Sequence, residues 1–146
     1  MSKIQSPAKI ACIQMRISYS RIEENLAEAD LLIEEACANG ATLLILPETF
    51  TTGSTFNTRA EAYAMAETIP DGRTSQFLLT KARDHGVYIA GSFVERDGAD
   101  LYNTAILAGP DGLVGKFRKL HPCEEEVYWA EPGNLGIPVF HTPIGR

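Results

Sequence analysis

Two charged residues at the ends of predicted strands are of the types that acid–base chemistry needs. Glu48 comes directly after the apolar segment 43–47, and Lys119 ends the segment 113–119. Burial raises the pKa of a carboxylate toward the range of a general base, and a lysine that faces the inside of a sheet requires an acidic partner. The pattern therefore predicts that Glu48 lies at the rim of a sheet and pairs with Lys119 from another strand.

Each of these residues also has a simpler interpretation. Glu48 is compatible with a solvated loop, and the basic residues Lys116, Arg118 and Lys119 are compatible with a polar sheet edge that resists pairing with other strands. The edge interpretation is strong for Lys116 and Arg118. It is weaker for Lys119, because strand alternation places Lys119 on the same face as Phe117.

Three cysteines, Cys12, Cys37 and Cys123, are candidates for a nucleophile or a metal ligand. Their odd number and wide separation differ from a disulfide framework and favour reduced thiols in the cytoplasm. His121 lies two residues before Cys123, but the chain has no second Cys/His cluster with ligand spacing. We therefore expect no metal site, and we expect no phosphate site because no glycine-rich fingerprint opens a helix.

The composition is typical of one globular domain with an excess of negative charge. The chain has 146 residues, of which 45% are hydrophobic, and a formal net charge of −6. Because nucleic-acid-binding modules usually carry a basic face, a nucleic-acid partner is not expected. Residues 1–7 are mostly polar, and the apolar segment 10–13 is too short to cross a membrane. These features predict a soluble, cytoplasmic protein without a membrane partner.

Hydrophobic periodicity and turn residues predict an α/β fold. Ser20 and Glu23 have the spacing of a capping box at the start of a helix that Gly40 ends. Turns at 97–98 and 110–112 separate three strands that should form an antiparallel meander. The predicted strands are 9–15, 42–46, 87–95, 101–108, 113–119 and 137–140, and further helices are predicted at 60–66 and 75–85.

Five short motifs occur together along the chain: Leu46-Pro47-Glu48, Tyr102-Asn103, Phe117-Arg118-Lys119-Leu120-His121, Glu126 and Glu131-Pro132-Gly133-Asn134. In residue type, order and spacing they resemble the carbon-nitrogen hydrolase (nitrilase) superfamily. The resemblance covers residues 9–146 and leaves residues 1–8 as an N-terminal tail. It implies an α-β-β-α sandwich of the nitrilase type, in which two sheets lie between helical layers.

The resemblance also implies roles for three residues of a Glu-Lys-Cys hydrolase. Glu48 would be the general base, Lys119 would stabilise the oxyanion, and Glu126 would hold the lysine and the substrate in place. A cysteine thiolate would attack the substrate and form a thioester that water hydrolyses. Small-molecule amides, nitriles and carbamoyl compounds are compatible substrates, no metal or organic cofactor is required, and the full-length form is expected to be a homo-oligomer.

The nucleophile is the point at which the chain departs from the resemblance. In the superfamily the nucleophilic cysteine follows a Gly-Arg pair like Gly145-Arg146 by a few residues, so it would lie beyond Arg146. We therefore expect an amidase-like domain that is incomplete at its C-terminus and inactive alone. One alternative is a non-catalytic binding protein that retains part of the fold, and another is a rearranged site in which Cys123 works with Glu48 and Lys119.

Overall fold

In the computed structural model of the protein, which describes residues 7–145, five strands form one sheet in the order β1-β2-β3-β4-β5. β1, β2 and β3 are parallel, whereas β4 and β5 continue as an antiparallel meander. The predicted meander is thus confirmed, and so is the α/β class. The strands span Ile10–Cys12, Leu43–Ile45, Tyr88–Asp97, Asp100–Gly109 and Gly112–Arg118.

Two long helices cover one face of this sheet. The two long helices are α1 (Ile22–Ala38) and α3 (Arg73–His85). Between them along the chain is the shorter helix α2 (Arg59–Met65), and a short 3-10 helix spans Glu124–Tyr128. On α1, Leu26, Ala29 and Ile33 recur at the helical period and are buried together with Leu44 and Ile89 of the sheet. The apolar stripe of the helix therefore decides which face of the sheet becomes the core.

The opposite face of the sheet, called here the open face, is not covered by either long helix, and α2 packs only over its far end, where Ala62 meets Val94 and Leu101. Ile10 and Ile45 on this face are 57% and 41% exposed. A depression of about 370 Å³ lies on it, between Ile45, Ala90 and Phe117. Because side chains alternate along a strand, residues that follow the same alternation on β4 and β5 also point to this face.

The predicted capping box of α1 is wrong. Ser20 has a left-handed backbone with φ of 54°, Arg21 is the N-cap residue, and no side chain caps the helix. The side chain of Asn25 fixes the entry instead, since its Oδ1 accepts from the Ser18 N–H at 2.8 Å and its Nδ2 donates to the Thr51 carbonyl at 2.8 Å. The end of α1 agrees with the prediction, because Gly40 follows it with φ of +79°.

The predicted strand at 137–140 is also wrong. This segment pairs with no strand in the described part of the chain, and the Ile137 side chain is 79% exposed. Phe140 packs its ring over Gly115, where a Cβ atom would lie only 2.2 Å from the ring. An apolar contact across β5 therefore replaces the hydrogen-bonded ladder that the apolar sequence pattern suggested. No helix within residues 7–145 has the length and apolar character to cross a membrane.

A close backbone approach ties the segment after the 3-10 helix to the end of β5. Gly133 donates its N–H to the Lys119 carbonyl at 2.8 Å, and a Cβ atom on Gly133 would lie 2.1 Å from the Arg118 carbonyl oxygen. Because that obstacle is backbone, we expect Gly133→Ala to lower the free energy of unfolding by roughly 1–3 kcal/mol. Urea denaturation measures this change, and the exposed-site variant Leu135→Ala should stay within about 0.5 kcal/mol of wild type. Equal effects of the two substitutions would contradict the role of the close approach.

Candidate active site

The three predicted site residues come together at the rim of the open face. Lys119 Nζ lies 2.9 Å from Glu48 Oε1 and 2.5 Å from Glu126 Oε2. The three residues arrive from the end of β2, the end of β5 and the 3-10 helix, and Glu48 and Lys119 are 71 positions apart in the sequence. One ammonium group thus bridges two carboxylates.

The backbone on both sides of the site fixes these side chains. Thr49, directly after Glu48, is buried with a left-handed φ of 45°, and its N–H donates to Ser92 Oγ at 2.7 Å. Lys119 donates its backbone N–H to the Asn103 carbonyl at 2.9 Å and so extends the pairing of β5 with β4. Glu48 and Lys119 are therefore held by the sheet itself, which is a rigid support for chemistry.

Asn103 is a fourth member of the site, and the sequence assigned it no role. Its Nδ2 donates to Glu48 Oε1 at 2.7 Å and to Glu126 Oε1 at 2.6 Å. The signal in the sequence is an asparagine in the interior of β4, where an amide side chain needs hydrogen-bond partners when it is buried. We refer to Glu48, Asn103, Lys119 and Glu126 as the carboxylate–lysine cluster.

Opposite charges set the protonation states in the carboxylate–lysine cluster. Burial alone would lower the pKa of Lys119, but hydrogen bonds to Glu126 and Glu48 outweigh burial and raise it. Burial would raise the pKa of Glu126, but hydrogen bonds from Lys119 and Asn103 outweigh it and lower the pKa. An ammonium group and an ionised Glu126 are therefore the stable forms at neutral pH.

Glu48 differs from Glu126 in its access to solvent. The Glu48 side chain is 56% exposed, whereas the Glu126 side chain is buried. The burial expected for a carboxylate at the rim of the sheet is thus found at Glu126 and not at Glu48. Glu48 is consequently the carboxylate that an incoming molecule on the open face can contact.

Of the three cysteines, only Cys123 lies beside the carboxylate–lysine cluster in the described residues. Its Sγ is 3.7 Å from Lys119 Nζ and 3.8 Å from Glu126 Oε2. Cys12 lies on β1 and Cys37 on α1, and none of the three forms a disulfide. Within residues 7–145, no group of three His, Cys, Asp or Glu side chains is arranged to hold a metal ion.

Arg118 does not form the polar sheet edge that the sequence suggested. Its guanidinium is buried on the helix-covered face, where Nε and Nη2 donate to the two carboxylate oxygens of Glu95 at 2.8 and 2.7 Å. It also stacks 3.8 Å from the centre of the Tyr102 ring. Since Arg118 and Lys119 are adjacent in an extended segment, anchoring the arginine on one face directs the lysine to the other.

The Glu95 carboxylate is almost fully enclosed by donors. Burial would raise its pKa, but hydrogen bonds from Arg118, Lys116 and Thr104 outweigh burial and lower the pKa to about 2. Thr104 Oγ1 donates to Glu95 Oε2 at 2.6 Å. No sequence pattern predicts this ion pair, because Glu95 and Arg118 are 23 residues apart and only the strand register brings them together.

Comparison with known proteins identifies the family of the chain. The family model described as carbon-nitrogen hydrolase matches residues 9–146. A nitrilase from Pyrococcus abyssi is 46% identical over 132 residues, which are 90% of this chain and 50% of that protein. The 2-oxoglutaramate amidase of Bacillus subtilis is 39% identical over 115 residues, which are 77% of this chain and 42% of that protein.

A solved structure agrees with these sequence relatives. Nit3 of Saccharomyces cerevisiae, described as a member of branch 10 of the nitrilase superfamily, matches with a TM-score of 0.82 at 28% identity and covers 99% of this chain and 55% of its own. The chain spans about half the length of the curated relatives it matches, between 42% and 50% for the two named above. On the family match and on these relatives, the chain belongs to the carbon-nitrogen hydrolase family.

Proposed function

We propose that this chain is the part of an amidase-like hydrolase that supplies the base and the cation for cleavage of non-peptide carbon–nitrogen bonds. The observation that carries the proposal is the ion pair of Lys119 Nζ with Glu48 Oε1, at 2.9 Å, beside a depression on the open face. In the proposal Glu48 is the general base, Lys119 stabilises the oxyanion, and Glu126 holds the lysine. The substrates are small amides, nitriles or carbamoyl compounds, in line with relatives named nitrilase and 2-oxoglutaramate amidase.

The proposed reaction uses a cysteine thiol from a strand after Arg146. With an amide, the sulfur forms a bond to the carbonyl carbon while Glu48 takes the thiol proton, and the Lys119 ammonium offsets the negative charge that develops on the oxygen. The carbon–nitrogen bond then breaks, and the nitrogen leaves as ammonia or an amine with that proton. Water, deprotonated by Glu48, breaks the thioester and gives the acid and the free thiol.

A chimera tests whether the carboxylate–lysine cluster has this function. It joins residues 1–146 of this chain to the half of the Pyrococcus abyssi nitrilase that this chain does not match, and is here called the chimera. We expect the chimera to release ammonia from small amides or nitriles. A folded chimera that hydrolyses neither class of compound, under conditions in which the parent nitrilase is active, would refute the proposal.

Cys123 offers an alternative nucleophile, because its thiol lies 3.7 Å from Lys119 Nζ. Its side chain is exposed on the loop before the 3-10 helix, and a loop positions a reacting group less precisely than a strand does. We therefore expect Cys123→Ser to leave the kcat of the chimera within about threefold of wild type, since the effect is confined to an exposed loop. A loss of activity in Cys123→Ser, together with amide hydrolysis by the 146-residue chain alone that this substitution abolishes, would make Cys123 the nucleophile.

Exposed apolar side chains favour a second candidate function, a non-catalytic protein that binds another chain. Ile10 and Ile45 on the open face, together with Ile137 and Val139 of the last segment, are all exposed. Such surfaces are typical of protein interfaces, and self-association of the full-length protein would cover them in the same way. A 146-residue chain that is monodisperse and cooperatively folded, together with an inactive chimera, would support this candidate over the hydrolase.

A further inference from the structure

Asn103 makes an unusual pair of hydrogen bonds at the centre of the carboxylate–lysine cluster. Its side-chain nitrogen donates to Glu48 Oε1 at 2.7 Å and to Glu126 Oε1 at 2.6 Å. The residue is only 4% exposed, so its amide nitrogen is shielded from water. An amide nitrogen has two hydrogens, and Asn103 therefore uses both of them on the two glutamates.

The charges of the carboxylate–lysine cluster explain why such a donor is needed. Glu48 and Glu126 share one ammonium group, that of Lys119, so the three charged side chains carry a net charge of −1 when all are ionised. Two carboxylates this close repel each other and favour uptake of a proton by one of them. A neutral amide offsets this repulsion, because it donates one hydrogen bond to each anion and adds no charge of its own.

The backbone of Asn103 acts on the third charged residue. Its carbonyl accepts the Lys119 N–H at 2.9 Å, which fixes the start of the lysine at the end of β5. Asn103 itself lies within β4, paired with Val94 of β3. A single residue in the interior of the sheet thus contacts both acids through its side chain and the lysine through its main chain.

We propose that Asn103 is a positioning residue that holds Glu48 and Glu126 on either side of Lys119. This inference rests on the proposed function for its catalytic consequence, but the arrangement of charges can be tested without turnover. Asn103 does not contact the substrate in this proposal. Its effect is exerted through the orientation of the two glutamates and the ionisation of Glu126.

The first test is a titration of the 146-residue chain labelled with 13C at the glutamate carboxyl carbons. In Asn103→Leu, we expect the pKa of Glu126 to move upward, because burial still favours its protonated form while one of the donors that opposed burial is lost. Lys119, Glu48 and Cys123 are the other titratable groups that contact Glu126 or its partners, and the Glu48 carboxyl signal is followed in the same experiment. An unchanged Glu126 titration would overturn the proposal.

Thr104→Val is the matched control for this test. Thr104 is the next residue on β4 and is also buried. Its replacement by valine removes one hydrogen bond to a carboxylate, that of Glu95, on the opposite face of the sheet. The control should leave the Glu126 titration at its wild-type position. If Asn103→Leu does not fold, Asn103→Asp decides the question: its added carboxylate should raise the pKa of Glu126, and no change would overturn the proposal.

The second test measures kinetics in the chimera. We expect Asn103→Leu to lower kcat about 10²-fold, the size of effect that misplacement of a catalytic group by about 1 Å produces, with KM within about threefold. The acidic limb of the pH–rate profile should move to higher pH, which a loss of folded protein alone would not cause. If the wild-type chimera is inactive, the proposed function fails while the titration still decides the role of Asn103; full activity of Asn103→Leu would overturn that role alone.

Discussion

Replacing Glu48 by glutamine is expected to lower the kcat of the chimera about 10²- to 10⁴-fold, the range typical of a lost general base. Glutamine matches glutamate in size, and its carbonyl oxygen can still accept from Lys119 and Asn103, as Glu48 Oε1 does. The substitution therefore removes the ability to accept a proton and leaves the contacts in place. Steady-state kinetics of ammonia release from an amide measure the effect.

A neighbouring glutamate provides the control for this substitution. Glu125 is exposed in the acidic segment before Val127, next to the buried Glu126. We expect Glu125→Gln to retain kcat within about threefold of wild type, as is usual for exposed positions without specific contacts. Because the Glu48 side chain is 56% exposed, the free energy of unfolding of Glu48→Gln should also lie within about 1 kcal/mol of the wild-type value. Retention of activity by Glu48→Gln would show that another group is the base.

The parts of the fold that the sequence could predict depend on local signals. The meander of β3, β4 and β5 follows from the turns at 97–98 and 110–112, whose glycines have positive φ of 63° at Gly98 and 124° at Gly112. The buried face of α1 follows from the helical recurrence of its apolar residues. Such patterns depend on a few consecutive residues, so they can be recognised in the sequence without knowledge of the tertiary structure.

The parts that could not be predicted depend on which side chains the register brings together. The convergence of Glu48, Lys119 and Glu126 was expected from a family resemblance, whereas Asn103 lacked a role because its partners are 55 and 23 residues away. Segment 137–140 shows the opposite failure, since its apolar residues resemble a strand although no paired strand exists in the described chain. A pattern of apolar residues indicates what should be covered, but not what covers it.

The largest effect on stability is expected from Glu95→Gln, with a loss of about 3–5 kcal/mol in the free energy of unfolding. Glu95 is 2% exposed, and its carboxylate neutralises Arg118 and Lys116 on the helix-covered face. Glutamine keeps the size of the side chain but leaves the buried guanidinium with Asp97, which is largely exposed, as its acidic partner. Guanidinium chloride denaturation at pH 7 measures the loss.

Asp97 is the matched control, because it also pairs with Arg118, at 2.8 Å, but its side chain is 64% exposed. We expect Asp97→Asn to cost less than about 1 kcal/mol, as is usual for an ion pair with a solvated partner. Similar costs for Asp97→Asn and Glu95→Gln would indicate that burial of the Glu95 pair does not govern stability. The comparison holds Arg118 constant and varies only the exposure of its acidic partner.

The pH dependence of unfolding gives an independent test of the same ion pair. The pKa of Glu95 is lowered from 4.5 to about 2, so the unfolded chain takes up the proton first as the pH falls. The stabilisation is therefore complete above about pH 4.5 and is lost progressively down to about pH 2, and it amounts to roughly 3 kcal/mol. Glu95→Gln should lack this part of the acid dependence. The Glu95–Arg118 pair anchors the end of β5, from which Lys119 reaches the carboxylate–lysine cluster. When Glu95 is protonated at low pH, the contacts of Lys119 in that cluster should therefore be lost at a lower denaturant concentration than at neutral pH.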